Sequence, residues 1–520
     1  MARNIDEQKV AIRMNHNLYL TLRAAYEDRL GSVFLRVPGE AALTYGSVDD
    51  RSALMAGVLV ELGVRIGDRV VVQVDKSPDA VALYLACLRI GAVFLPLNTA
   101  YTPTEVEFFV ADAQPALVVA RPATLTELGA KVVHLGVERD GDPADHAGDH
   151  VGDLAAMADD AAPLDTVVER AANDVAAMLY TSGTTGRSKG AMLTHANLQS
   201  NAVALFDIWG FGPADVLLHT LPIFHVHGLF VALHCAMLGA NEVIFLPRFD
   251  VDEVIAQLPS ATVMMGVPTQ YTRLLADDRF ATSTCSTIRL FTSGSAPMTA
   301  AVHEEFTART GMEILERYGM TEAGMITSNP YDGARVPGTV GYPLPGVELR
   351  VADADGVEVA TGETGVVEIR SPGLFAGYWQ LPDTTSEAYR DDGWFVTGDV
   401  GSVDAEGRLT LEGRSSDMII SGGYNIYPKE IEMILDAVPG ILETAVIGVP
   451  HPDFGEAVVA IVVRDGSVDV TDDALADCLD GRLARFKHPK TYIPAEALPR
   501  NTMSKVQKAG LRADYSDLFT

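Results

Sequence analysis

Residues 180–190 read YTSGTTGRSKG, which places three glycines, five Ser or Thr side chains and two cations in one short loop. Such a loop suits an anion with several oxygens. Gly183 and its fellow glycines let backbone N–H groups converge, Thr181, Ser182, Thr184 and Thr185 add hydroxyl donors, and Lys189 adds a point charge. The spacing is not that of a Walker A loop, because two residues separate Gly186 from Lys189. A second cluster, ERYGMTE at 316–322, combines an aromatic face (Tyr318), a hydroxyl (Thr321) and a carboxylate (Glu322). Glu322 is a suitable oxygen ligand for Mg²⁺, which takes one or two carboxylates together with nucleotide phosphates. Asp399 follows the apolar strand-like WFVTGD segment, where a carboxylate can accept hydrogen bonds from two ribose hydroxyls, and Arg414 lies nearby in sequence.

Other groups have more than one reading. His225 and His227 in FHVHG stand two apart, but no carboxylate or Cys lies at ligand spacing, so a packed or hydrogen-bonded histidine competes with a metal ligand. Arg273 stands near the start of a predicted helix in GVPTQYTRLL, as either a surface cation or the partner of an anion. Arg485 and Lys487 in RFKHPK form a local cationic cluster that is either a solvated face or a phosphate site. Lys505 sits in the turn-like PRNTMSK.

These groups need a scaffold, and the pattern supplies one. The apolar run 175–180 reads as a strand feeding the phosphate loop. Upstream, helical spacing at 52–62 and 78–90 alternates with strand-like runs at 70–72, 93–97 and 116–120. Thr102, Pro103 and Glu105 form a capping box with proline at the first helical position. This alternation predicts layered α/β structure with mostly parallel sheet. Residues 140–165 are rich in Asp, Ala and Gly and read as an exposed connection. Residues 338–404 hold short strand-like pieces separated by Gly and Pro, the mark of a β-rich subdomain. Beyond 413 the texture is α+β, with a helix opening at Pro428, strands at 445–448 and 458–463, and a helix at 473–483.

A chain of 520 residues with 48% hydrophobic and 21% charged content is a multidomain globular protein. Its 39 Lys plus Arg against 70 Asp plus Glu give a net charge of -31, which disfavours nucleic acid and anionic membrane as partners. Cations for ATP or coenzyme A must therefore be gathered locally. Cys87, Cys235, Cys285 and Cys478 lie far apart and read as free thiols, and neither a signal-peptide h-region nor a long apolar span is visible. A cytoplasmic enzyme is expected.

The loop YTSGTTGRSKG, together with ERYGMTE, WFVTGD and PRNTMSKVQK, resembles the signature motifs of the adenylate-forming superfamily of acyl-CoA synthetases, adenylation domains and luciferases. The resemblance runs from about residue 30 onward. It implies an α/β fold with a large N-terminal domain (1–413) of layered α/β subdomains plus the β-rich subdomain, and a small mobile α+β C-terminal domain (414–520) hinged near Ser416. It implies ATP contacts at the 181–189 loop, at Gly294, Ser295 and Ala296, at Glu316, Tyr318, Gly319, Met320 and Thr321, and at Asp399 and Arg414. Lys505 would act on the α-phosphate and carboxylate, with His225 beside the acyl carboxylate and Glu322 on Mg²⁺. Gly422, Gly423, Tyr424, Arg485 and Lys487 would receive coenzyme A.

The segment GVPTQYTRLL is similar to that of malonyl-CoA synthetases, which implies that Arg273, with Ser295 and Met325, meets the second carboxylate of a dicarboxylic acid. Ala323-Gly324-Met325-Ile326 departs from the Thr-Asn-Met-Asn type of those enzymes, and Ser416 from the usual Asp or Lys at the hinge. The expected activity is AMP-forming malonate–CoA ligation, with methylmalonate as a second substrate. Its alternatives are a monocarboxylate–CoA ligase, an enzyme loading a carrier protein, or a nucleotide-binding regulatory protein.

Overall fold

The computed structural model describes residues 15–121, 130–136, 150–181, 188–296, 298–421, 424–452, 454–480, 482–483, 485–501 and 505–519. Its first sheet holds seven strands among these residues, and the middle ones are parallel: Val132–His134, Leu117–Ala120, Arg69–Gln73, Val93–Pro96 and Val175–Thr181. Lys189–Thr194 closes that edge as an antiparallel hairpin with Val175–Thr181. The phosphate loop is thus the tip of a hairpin, in which Thr181 faces Lys189 across the ladder.

The second sheet begins with a parallel core that includes Glu242–Phe245, Val216–His219, Val263–Gly266, Leu290–Ser293 and Leu315–Met320. From Gly324–Ser328 onward the strands become antiparallel and run through Thr339–Pro343, Leu409–Arg414, Phe395–Val403, Gly365–Arg370 and Glu348–Ala352. The strands of the expected β-rich segment are therefore hydrogen-bonded onto the same sheet that carries the ERYGMTE strand. Asp399 and Arg414 come to sit opposite each other in its ladder.

Helix Pro78–Ile90 is buried almost all round and belongs to the core cluster shared by the two sheets. A helix apolar on every face has to be an interior one. Its caps follow its sequence: Ser77 accepts from the Ala80 N–H, and Gly91 closes the helix at φ 70°. The capping box at Thr102 and Glu105 forms as the pattern predicts. The predicted helix at 52–62 starts earlier, at Tyr45, because Thr44 caps the Ser47 N–H. Part of the expected exposed connection at 140–165 is ordered instead. His150–Asp153 pairs as a strand with Val132–His134, and helix Leu154–Asp160 buries Leu154 and Ala158, one turn apart on a single face.

The third sheet lies beyond residue 418. Strands Ile441–His451 and Gly455–Arg464 form its long hairpin, flanked by Ile419–Ser421, Tyr424–Ile426 and Thr491–Ala495. Helices Pro428–Leu435 and Asp472–Leu479 cover it. The second helix is shorter than the predicted 473–483, because Asp480 is extended at ψ 131°. Cys87, Cys235 and Cys285 are buried free thiols and Cys478 is half-buried. Among the described residues no helix is long and apolar enough to cross a membrane.

Candidate active site

Ser182, Gly183, Thr184 and Thr185 lie outside the described residues, but the base of their loop is well defined. Residues 376–379 add to the hairpin strand, with the Trp379 N–H donating to Gly190 O at 2.7 Å and the Met192 N–H to Gly377 O at 3.0 Å. This brings Tyr378 under the loop. The Lys189 ammonium stands 5.1 Å from the centre of the Tyr378 ring, and the Tyr378 hydroxyl donates to Glu322 Oε1 at 3.0 Å. Tyr378 thus links two motifs that are far apart in sequence, a function the motifs themselves did not reveal. An aromatic residue directly after Gly377 was the only local signal.

Among the described residues no group of three or more His, Cys, Asp or Glu side chains could hold a metal. The donor set is a single buried carboxylate, Glu322, with one oxygen on Tyr378. It fits a Mg²⁺ ion whose other ligands are nucleotide phosphates.

Tyr318 projects from strand Leu315–Met320 and donates to Asp399 Oδ2 at 2.5 Å, while Arg414 Nε holds Asp399 Oδ1 at 2.9 Å. Tyr318 is buried, and burial together with the Asp399 charge keeps its phenol protonated. Thr321 and Met320 are half-buried where this strand turns into Gly324–Ser328. Gly319 is needed there because a Cβ would stand 2.3 Å from Gly324 O. Glu316 is buried with Oε1 accepting from the Gly338 N–H at 3.2 Å, and desolvation raises its pKa to about 7.

On the acyl side, the His227 N–H approaches His225 Nδ1 at 3.4 Å, so Nε2 carries the ring proton of His225. Burial, reinforced by the charges of Lys505 and Arg317, lowers the His225 pKa to about 3, and burial holds His227 well below its usual value. Both act as neutral imidazoles. Ser295 Oγ lies 3.5 Å from His227 Nδ1, and Ser295 adopts φ 69°, a strained conformation for a residue with a side chain. Met325 is buried, and Asn201 pins its backbone through bonds of 2.8 and 3.1 Å. Behind Gly294 and Ser295 lies Arg317, which the sequence presents only as part of ERYGMTE. A Cβ on Gly294 would stand 2.3 Å from Arg317 Nη1.

Arg273 occupies the last turn of helix Pro268–Leu275, not its start, and is exposed. Among the described residues no carboxylate pairs with it. The buried face of that short helix is taken by Gln270, Tyr271, Leu274 and Leu275, which leaves position 273 on the outside.

From the C-terminal part, Lys505 reaches into the same cleft. It is exposed by surface area, yet protein crowding around its ammonium lowers its pKa, and Arg414, Asp399, Glu322 and Arg317 all act on it electrostatically. Reciprocal bonds with Asn501 hold its turn: the Asn501 N–H donates to Lys505 O at 2.9 Å and the Lys505 N–H to Asn501 Oδ1 at 3.0 Å. Ser415–Asp417 form a single 3-10 turn between the second and third sheets. This is where the hinge at Ser416 was expected.

The cationic cluster is weaker than its sequence implies. The Lys487 ammonium is bonded to Glu430 Oε2 at 2.6 Å, and Arg485, whose side chain is 87% exposed, has Asp480 at 3.6 Å. Gly422 and Gly423 lie outside the described residues. Tyr424 begins the strand that pairs with Ile419–Ser421.

One cleft therefore gathers a hairpin-tip phosphate loop, a Mg²⁺-type carboxylate, an Asp–Arg pair and a lysine from the C-terminal part. The chain belongs to the AMP-binding enzyme family, whose profile it matches over residues 23–379, with the AMP-binding enzyme C-terminal domain matched over 430–505. It is 35% identical to the mitochondrial malonate–CoA ligase of Mus musculus over 95% of this chain and 92% of that protein. It is 34% identical to a long-chain-fatty-acid–CoA ligase of Mycobacterium tuberculosis over 96% of this chain and 98% of that protein. Among solved structures it is similar to ATP-bound MatB from Rhodopseudomonas palustris, at 48% identity and a TM-score of 0.91, covering 98% of this chain and all of that one. Against the apo form of the same protein the TM-score is 0.81. Two relatives at nearly equal identity act on very different acids, so the acyl pocket has to decide the substrate.

Proposed function

We propose that this enzyme joins malonate to coenzyme A at the expense of ATP, through an acyl-adenylate, releasing AMP and pyrophosphate, with methylmalonate as a second substrate. The observation that carries the chemistry is the convergence of Lys505, Glu322, Asp399 and Arg414 on one cleft. The malonate–CoA ligase named above supports the choice of acid.

In this reading the phosphate loop and Lys189 hold the β- and γ-phosphates, Asp399 and Arg414 hold the ribose, and residues 294–296 and 316–321 border the adenine. Mg²⁺ on Glu322 neutralises charge on the phosphates. The substrate carboxylate, oriented by the Nε2–H of neutral His225, attacks the α-phosphorus in line as pyrophosphate leaves. Lys505 offsets the repulsion between carboxylate and phosphate as charge builds, and holding both reactants removes most of the entropic barrier. The thiol of coenzyme A then attacks the acyl carbon and AMP departs. Residues 414–520 form the moving domain, turning about Ser416 to withdraw Lys505 and present 422–424, Arg485 and Lys487 to coenzyme A. Arg273 and Ser295 face the second carboxylate, next to Met325. The enzyme works in the cytoplasm on small molecules, without nucleic acid or membrane.

Coenzyme A-dependent pyrophosphate release over malonate, methylmalonate, succinate, acetate, butyrate and octanoate tests the reading. Malonate far ahead of the monocarboxylates supports it. Preference for butyrate or octanoate sinks the substrate assignment, and pyrophosphate release that ignores coenzyme A sinks the ligase.

A further inference from the structure

Arg317 sits in strand Leu315–Met320, which is paired on both sides, with Leu290–Ser293 and with Gly324–Ser328. That central place leaves it only 3% exposed. Its Nε and Nη2 are buried without a hydrogen-bond partner, and among the described residues no carboxylate pairs with it. Glu316, its neighbour in sequence, projects from the opposite face of the strand and accepts from Gly338 instead. A buried charge with no counter-charge is unfavourable unless something in the working cycle supplies one. Desolvation lowers the guanidinium pKa only to about 9, so the group remains a cation at neutral pH.

Its surroundings complete an anion site. Gly294 offers no side chain where a Cβ would collide with Nη1, so the guanidinium lies directly behind that backbone. Ser295 next to it is held at φ 69° with its hydroxyl toward His227. Ser293 Oγ and His227 Nε2 are further buried polar atoms without partners. No acid competes among these groups.

We propose that Arg317, assisted by Ser295, binds the second carboxylate of the acyl substrate and is the main determinant of dicarboxylate preference. This inference rests on the malonate reading. Arg273 is exposed, so its charge stays hydrated when a monocarboxylate binds and its loss of a partner discriminates weakly. Arg317 is out of reach of water, so an acid without the second carboxylate leaves it unpaired. Sites built to bond a polar group reject analogues lacking it by roughly 10⁴-fold.

The test compares kcat/KM for malonate and for malonamate, in which a neutral amide replaces one carboxylate, in wild type, Arg317→Met, Arg317→Lys and Arg273→Ala. ATP-induced thermal stabilisation is recorded for each. Wild type should favour malonate by about 10³-fold or more, by the same unpaired-group argument. In Arg317→Met that ratio should fall to within about tenfold, while Arg273→Ala keeps most of it and all the variants still respond to ATP. A purely structural or nucleotide role for Arg317 would lower both acids in parallel. An unchanged ratio in Arg317→Met, or collapse in Arg273→Ala instead, overturns the proposal. Should Arg317→Met fail to fold, Arg317→Lys, which loses the bidentate fork, must still shrink the ratio at least tenfold, and an unchanged ratio overturns the proposal equally. A wild type that prefers monocarboxylates defeats the malonate reading and this inference together, whereas a malonate-preferring wild type with an insensitive ratio defeats the inference alone.

Discussion

Replacing Lys505 with methionine keeps the length of the side chain and removes its charge, so it isolates the electrostatic contribution to the first half-reaction. The ammonium sits in a cleft with Glu322 and Asp399 on one side of its balance and Arg414 and Arg317 on the other. Placed about 4 Å from charge developing on the α-phosphate, with an effective dielectric near 20, it contributes about 4 kcal/mol. That corresponds to roughly 10³-fold in rate. Pyrophosphate release from ATP and malonate in a single turnover should fall by this factor. Coenzyme A-dependent consumption of preformed malonyl-adenylate should stay within about threefold, because thiol attack develops no new charge at the phosphate.

The pH profile supplies an independent check. The protonated form is the active one and crowding holds its pKa below 10.5, so wild-type adenylation should decline on the alkaline side before that value is reached. The methionine variant should lack this limb. A loss of less than tenfold in adenylation, or an equal loss in both half-reactions, would refute the assignment of Lys505 to the adenylation step.

Two further outcomes follow from the site strands. Glu316 has a folded pKa of about 7 against an ordinary 4.5, so the native state holds a proton that the unfolded chain has released between these values. Its stabilising contribution is complete below 4.5 and lost as pH rises through 7, a difference of up to about 3 kcal/mol. Thermal unfolding without ligand should therefore show Glu316→Gln gaining on wild type from pH 5 to pH 8, and a pH-independent gap would contradict the burial argument. Gly319→Ala places a methyl 2.3 Å from Gly324 O, a backbone atom that cannot swing aside. It should lower stability by about 1–3 kcal/mol and weaken ATP binding with it, measured by denaturant unfolding and nucleotide titration.

What could be read along the chain was chemistry written in contiguous residues. The loop at 180–190, Glu322, Asp399, Arg414 and Lys505 each stand in short motifs, and the capping box at Thr102 forms from the residues that announce it, because bonds between near neighbours need no tertiary partner. Side-chain surroundings were another matter. Lys487 looks like a free cation until Glu430 is folded against it. Arg273 looks like a pocket cation until helix Pro268–Leu275 turns its apolar face inward and leaves it exposed. Tyr378 joins Lys189 to Glu322 only because residues 376–379 pair with the phosphate-loop hairpin.

By itself the sequence determined the family's motifs, the alternation of helix and strand, and the acidic balance that forces cations to be gathered locally. The tertiary structure alone decided which cation is hydrated and which is trapped. Arg273 and Arg317 are chemically the same residue, but a strand paired on both sides removes water from one while a short surface helix leaves it around the other. Desolvation depends on what packs around a group in space, and distance along the chain does not encode it.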